Sequence, residues 1–144
     1  MDLEPLLSTL PAWRSPAGRL ILETLARHRG HIGRAAFFAR RVGLRSRHQL
    51  HRILRREGLP PIEVLGAWIR ILGWVIEAET EHLSLCAIAT RSGLDPSACN
   101  RTVRCATGFP WKTVQRLGPA WVVLRIIDEC GNGGQMNRYN VLTS

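Results

Sequence analysis

A repeat with a period of fifty residues places the strongest constraint on how this chain can fold. The stretches 39–60 and 89–110 share six identical residues out of twenty-two when aligned without a gap. Unrelated segments would share about one or two, so the chain builds one supersecondary unit twice. The identical pairs are Ala39 and Ala89, Arg41 and Arg91, Gly43 and Gly93, Leu44 and Leu94, Gly58 and Gly108, and Pro60 and Pro110.

The first copy has the pattern of two short helices joined by a tight turn. Apolar residues at helical spacing lead to Gly43, which is placed to end the first helix in a left-handed conformation. Ser46 and Gln49 then form an S-x-x-Q capping box, which predicts a second helix from Arg47. Gly58 ends this helix. Two short helices in this arrangement are the outline of a helix-turn-helix.

The second copy repeats the outline with different start signals. Gly93 supplies the break, Asp95 caps the next helix, and Pro96 takes its first position. Cys99 and Val103 are expected to point inward.

A longer helix is predicted between the copies, over residues 61–78, with a length of about 27 Å. We therefore expect an all-α fold in which two helix-turn-helix subdomains are joined by a long linker helix. The predicted segments are an N-terminal helical arm (1–30), the first helix-turn-helix (31–60), the linker helix (61–80), the second helix-turn-helix (81–118), a C-terminal apolar segment (119–130) and a flexible tail (131–144).

The acidic residues and the cysteines follow no catalytic or metal-site pattern. Glu77, Glu79 and Glu81 are expected to form a solvated acidic cluster at the end of the linker helix. The four cysteines have no zinc-site spacing and are expected to be reduced and mostly buried. A sensing role stays open for Cys86, Cys99, Cys105 and Cys130. No secretion signal or membrane-length apolar run is present, so a cytoplasmic, nucleoid-associated location is expected.

The charge of the chain points to nucleic acid. The chain has twenty basic residues and eleven acidic ones, and nineteen of the twenty are Arg. Residues 27–56 contain ten Arg, four His and no Asp or Glu. A surface selected only for solubility would mix its signs, whereas the guanidinium fork suits phosphates and guanine edges.

The outward faces of the two second helices carry the expected DNA contacts. In a helix-turn-helix this helix enters the major groove, where Arg can bind guanine or phosphate and Asn can bind adenine. A merely solvated surface stays open for Arg55, Arg56 and Arg104. The expected contacts are Arg45, Arg47, His48, His51, Arg52 and Arg55 in the first copy, and Ser97, Asn100, Arg101 and Arg104 in the second.

The two copies and the long helix between them resemble the DNA-binding domain of the AraC/XylS family of bacterial transcription regulators, over about residues 30–118 of the chain. The second copy, IATRSGLDPSACNRTVRCATGFP, matches best. Leu94, Cys99 and Val103 stand where that family usually has aromatic residues, and Pro110 comes one place early. The first copy, FARRVGLRSRHQLHRILRREGLP, matches more loosely and also looks like the Fis-type helix-turn-helix. In the second copy, the residues that match the family's pattern are Ile88, Ala89, Gly93, Asp95, Arg101 and Gly108.

The resemblance implies two reading heads that enter successive major grooves on one face of double-stranded DNA. A monomer could then bind an asymmetric site; a dimer stays open, as does RNA polymerase or another regulator as a further partner. The family often adds an effector-binding domain, and thirty leading residues are too few for one. A signal is therefore expected through expression level, a partner protein or the cysteines.

Two other functions stay open. A protein-interaction module could use Trp68, Trp74, Trp121 or the stretch 120–127, and a sequence-blind DNA binder would share the charge. An enzyme is not expected, because no acid–base pair, nucleophile motif or phosphate loop occurs. We expect no cofactor and no metal, since His48 and His51, at i and i+3, lack any nearby carboxylate.

Overall fold

The computed structural model describes residues 2–131 of the 144-residue chain. Within this range there are eight α-helices, one 3-10 helix and no strand, which confirms the all-α prediction. The tail predicted for 131–144 lies outside the described residues from residue 132 onward. The helices are α1 (Glu4–Leu7), the 3-10 helix (Pro11–Arg14), α2 (Pro16–Arg27), α3 (Ala35–Arg41), α4 (Arg47–Arg56), α5 (Ile62–Glu81), α6 (Leu85–Arg91), α7 (Pro96–Thr107) and α8 (Trp111–Gly131).

Side-chain caps start several of the helices, and those of α4 and α7 lie where the sequence predicts them. The hydroxyl of Ser15 accepts a hydrogen bond from an amide in the first turn of α2, and Ser46 does the same for α4. The carboxylate of Asp95 accepts from the first turn of α7. Each cap satisfies an amide that has no partner within its helix.

The glycines of the repeat all adopt left-handed backbone conformations. The φ angles are 83° at Gly43, 73° at Gly58, 73° at Gly93 and 79° at Gly108. Residues with a Cβ rarely adopt this region, so the repeat keeps glycine where each helix ends.

The two turns differ by one residue. Ser46 lies three residues after Gly43, whereas Asp95 lies two residues after Gly93. The second helix of the later copy therefore begins one position earlier in the repeat. As a result, the buried residue that corresponds to Leu50 is Cys99.

Helix α5 lies in the hydrophobic core. Twelve of its twenty residues are buried, and it packs against α2, α6, α7 and above all α8. Trp68 and Trp74, which were open as interface residues, belong to this core. At 1.5 Å per residue the helix is about 30 Å long. It holds the second half of the chain together as well as connecting the two copies.

Helix α8 covers α5 and is interrupted at one residue. Gly118 has φ 89° and ψ 174°, and Pro119 follows it. The apolar stretch 120–127 is helical, in agreement with the all-α prediction. Val122 and Ile126 bury this part of α8 in the core. None of the helices within residues 2–131 has the length and apolar character needed to span a bilayer.

The acidic cluster prediction is wrong for Glu77. Its side chain is 7% exposed. Its Oε2 lies 2.8 Å from Nη2 of Arg91, and its Oε1 accepts from Arg29. Two guanidinium groups thus compensate the burial of this carboxylate, whereas Glu79 and Glu81 are exposed as expected.

The cysteine prediction is also wrong in part. All four cysteines are free thiols, but Cys86 and Cys105 are exposed, and Cys130 is half-buried. Only Cys99 is buried. Burial raises the pKa of Cys99, and it raises the pKa of Cys130 to about 12.

Candidate nucleic-acid interface

The inner face of α4 fixes which of its side chains face solvent. Leu50 and Leu54 are buried in the core. Because the helix repeats every 3.6 residues, Arg47, Arg52 and Arg55 lie away from that core, and all three are exposed. The predicted cationic face of α4 is therefore present.

A capping network holds the turn before α4. The amide of Gln49 donates to Oγ of Ser46 at 3.2 Å. The side-chain carbonyl of Gln49 in turn accepts from the amide of Arg45 at 2.9 Å. The backbone of Arg45 is thus tied to the first turn of α4, and its exposed guanidinium extends from a fixed position.

The two histidines of α4 differ in their surroundings. His48 is exposed, as predicted. His51 is half-buried, and its Nε2 is shielded from solvent and has no hydrogen-bond partner among the described residues. The Oε2 atom of Glu63 lies 4.0 Å from that nitrogen. The predicted absence of a nearby carboxylate is therefore wrong for His51, and the predicted outward orientation holds in part, since its side chain is 33% exposed. No group of three metal-ligating side chains occurs among the described residues.

Helix α7 presents the second predicted set. Cys99 and Val103 are buried, as predicted, and the opposite face is exposed. Nδ2 of Asn100 donates to the carbonyl of Pro96 at 3.1 Å. The second N–H and the carbonyl oxygen of this amide have no partner within the described residues, so they could meet a base edge. The exposed predicted contacts of α7 are Ser97, Asn100, Arg101 and Arg104.

The predicted cationic contacts share one electrostatic property. Six Arg are exposed, and within residues 2–131 none of them forms an ion pair. Their charges are therefore not neutralised by neighbouring carboxylates. These six are Arg45, Arg47, Arg52, Arg55, Arg101 and Arg104. Arg19, Arg29, Arg56, Arg91 and Arg125 are ion-paired, and other exposed arginines, such as Arg14, Arg27 and Arg116, likewise form no ion pair within these residues.

Helix α3 adds two exposed residues that sequence reasoning did not select. Phe37 is 57% exposed, and the guanidinium of Arg40 lies 5.8 Å from the centre of its ring. The pattern of α3 predicted its buried face only. The available signal in the sequence was an aromatic residue, Phe37, placed three residues before Arg40 in a stretch without acidic residues.

Two histidines beside α3 are disfavoured as cations. Burial lowers the pKa of His28, and the nearby charges of Arg41 and Arg27 lower it further. Nε2 of His28 lies 3.0 Å from Nη1 of Arg41. Because Arg can only donate, the imidazole nitrogen accepts and is unprotonated in this pair. Burial, followed by the charge of Arg70, likewise lowers the pKa of His31.

Different neighbours hold the two sets of predicted contacts. Helix α4 packs against α2 and α3, whereas α7 packs against α5, α6 and α8. The residues of each set share a helix face, and the two sets occupy two separate elements.

Comparison of the chain with protein-family models, with curated proteins and with solved structures found no match in any of the three.

Proposed function

We propose that this protein is a sequence-specific regulator of transcription that binds double-stranded DNA through two helix-turn-helix units. The first unit consists of α3 and α4 and the second of α6 and α7, with α5 as the helix that joins them. In this proposal α4 and α7 enter successive major grooves, as the resemblance to AraC/XylS regulators implies. The observation that carries the proposal is the set of six exposed Arg on and beside these two helices that form no ion pair within residues 2–131.

The charge distribution supports a reading role for both helices. Arginine without a carboxylate partner can donate to phosphate oxygens or to the O6 and N7 atoms of guanine. Helix α4 and its turn hold four of the six, and α7 holds two together with Asn100. We therefore expect α4 to provide more of the affinity and the two boxes of the DNA site to be unequal.

Selection of bound duplexes from a random library at physiological salt tests the proposal. The expected result is two unequal sequence boxes separated by about one helical turn, about 34 Å. An inverted repeat would indicate that two chains bind as a dimer. If no sequence is enriched over random DNA, the protein is not a sequence-specific regulator.

A triple variant tests which arginines contact the DNA. Replacement of Arg47, Arg52 and Arg101 by Ala should weaken binding to the selected site by at least about a hundredfold. It should also lower the slope of log affinity against log salt by up to about three, if each contact releases one counterion. The matched control replaces Arg14, Arg27 and Arg116, which are exposed, lie on other elements and form no ion pair within residues 2–131. Equal losses in both variants would show that net charge alone drives binding.

A further inference from the structure

A groove lies between α5 and α7, next to the predicted DNA contacts of α7. Its volume is about 470 Å³, and its walls are formed by the first half of α5 and by the side of α7 that carries Ala98, Thr102 and Cys105. Sites for small molecules have volumes of about 300 to 1,000 Å³. The groove is therefore large enough for a single ring or a short acyl chain.

The walls of this groove are mainly small and apolar. Val64 and Ala67 contribute from α5, and Ala98, Cys105 and Ala106 contribute from α7. Side chains of this size leave space between the two helices where larger ones would fill it. An apolar body placed there would remove both walls from water, which is favourable in proportion to the area covered.

One wall of the groove contains an arginine without a counter-charge. Arg70 is half-buried, and within residues 2–131 it forms no ion pair. Its Nη1 donates to the carbonyl of Gly30 at 3.1 Å, which leaves most of its five N–H donors available. Burial lowers the pKa of Arg70. A cation held partly out of water in this way is stabilised by an anion.

The other charged groups of the groove favour the same kind of occupant. Arg101 lines the groove from α7 and is also without an ion pair in the described part of the chain. Glu63 is the acidic residue of the lining, and its side chain is 61% exposed and lies near His51. Two cations against one solvated carboxylate give the groove a positive charge.

We propose that this groove binds a small organic acid, whose apolar body lies between Ala67 and the alanines of α7 and whose carboxylate pairs with Arg70. Arg101 is both a lining residue and a proposed DNA contact. A bound acid therefore competes with DNA for this guanidinium and weakens DNA binding. This regulatory step rests on the proposed DNA-binding function, whereas the acid site itself does not.

Alkylation of the cysteines tests the site without any DNA. Cys105 lines the groove and is exposed, and Cys86 is exposed on α6 and is absent from the groove lining. The full-length protein is treated with iodoacetamide in the presence of benzoate or hexanoate, and each thiol is followed by peptide mass spectrometry. Near saturation, at about 10 mM, we expect the acid to slow alkylation of Cys105 about tenfold while Cys86 reacts as before. Benzamide and hexanamide lack the charge. They should bind at least about tenfold more weakly and therefore protect Cys105 less.

Two variants and one control separate the charge from the shape of the groove. Arg70→Gln keeps an N–H donor for the carbonyl of Gly30 and removes the charge, so carboxylate affinity should fall about tenfold or more. Ala67→Leu fills the groove with its charges in place and should abolish protection of Cys105. Arg19→Gln removes the same charge from the exposed surface of α2 and should leave protection unchanged. The circular dichroism spectrum and the unfolding midpoint of each variant are checked before labelling.

Several results would overturn the acid site. They are the absence of Cys105 protection by both acids, equal protection of Cys86, equal protection by the amides, and unchanged protection in Arg70→Gln. The regulatory step is tested separately, by titrating the selected duplex with and without benzoate. Protection of Cys105 with unchanged DNA affinity overturns that step alone. A protein that binds no duplex overturns the proposed function, and the alkylation assay still decides the groove.

Discussion

Glu77 is a single residue that ties distant parts of the chain together. Its carboxylate accepts hydrogen bonds from Arg29, which follows α2, and from Arg91, at the end of α6. The side chain of Glu77 is 7% exposed, whereas those of Arg29 and Arg91 are 49% and 50% exposed. Solvent therefore screens the cations but not the buried anion, so loss of the carboxylate matters more than loss of either arginine.

We expect Glu77→Gln to lower the free energy of unfolding by about 1–3 kcal/mol, because an amide can satisfy only part of this charge-assisted network. Glu79→Gln is the matched control on the same helix, since Glu79 is exposed, and its effect should stay within about 0.5 kcal/mol. Urea denaturation followed by circular dichroism measures both. Equal effects would show that the Arg29–Glu77–Arg91 network adds no stability.

His28 makes stability depend on pH. Its pKa lies below the ordinary value of 6.5 in the folded protein, because of burial and the charges of Arg41 and Arg27. The unfolded chain therefore binds more protons as the pH falls through about 6.5, so acidification favours unfolding. Stability is retained above this range and decreases below it.

The predicted measurement is the urea midpoint at pH 7.5 and at pH 5.5. It should fall between these values in the wild-type protein and fall less in His28→Gln, which keeps a side-chain acceptor for Arg41. His31→Gln should act in the same direction, because the pKa of His31 is also lowered. An identical fall in all three proteins would rule out these histidines as its source.

At the scale of elements, the backbone that follows α2 crosses helix α5 at close range. Gly30 passes over Gly66 of α5, and a Cβ on Gly66 would lie 2.8 Å from the carbonyl oxygen of Gly30. Both groups belong to the backbone, so neither can move aside alone. Gly73, on the same helix, has open space where the Cβ of an alanine would lie.

Alanine at these two glycines should therefore have opposite effects. Gly66→Ala should lower the free energy of unfolding by about 1–3 kcal/mol, as overpacking does. Gly73→Ala should raise it by about 0.5–1 kcal/mol, because alanine favours the helix. Thermal and urea unfolding of the two variants provide the test, and a shift in the same direction for both would contradict the close crossing.

The elements were predictable where the signal is local. Ser46 and Asp95 cap their helices through bonds within one turn, and the repeated glycines end helices through their own φ angles. The burial of Glu77 and the covered Nε2 of His51 depend on residues far away in sequence, Arg29 in one case and α5 in the other. No pattern within one helix carries that information.

At the scale of the molecule, the sequence predicted two subdomains and a linker, and the structure has one continuous core. A single cluster of buried apolar residues extends from Leu3 to Ile126. The sequence predicted helix α5 but not its packing partner, because α8 follows about thirty residues after the end of α5. The groove between α5 and α7 has the same origin, since its walls come from separate helices.

This shared core predicts that the described part of the chain unfolds as one cooperative unit. Ile126→Ala removes buried methylenes from α8, where the residue is 1% exposed, and should cost about 2–5 kcal/mol. Because α4 belongs to the same cluster through Leu50 and Leu54, its slowest-exchanging amides should lose the same free energy of protection as those of α7. Native-state hydrogen exchange of the two proteins measures this loss, and Leu124→Ala, at a position 64% exposed on α8, is the control that should change neither helix. If Ile126→Ala lowers protection in α7 and leaves α4 unchanged, the two helix pairs are separately stable units joined by α5.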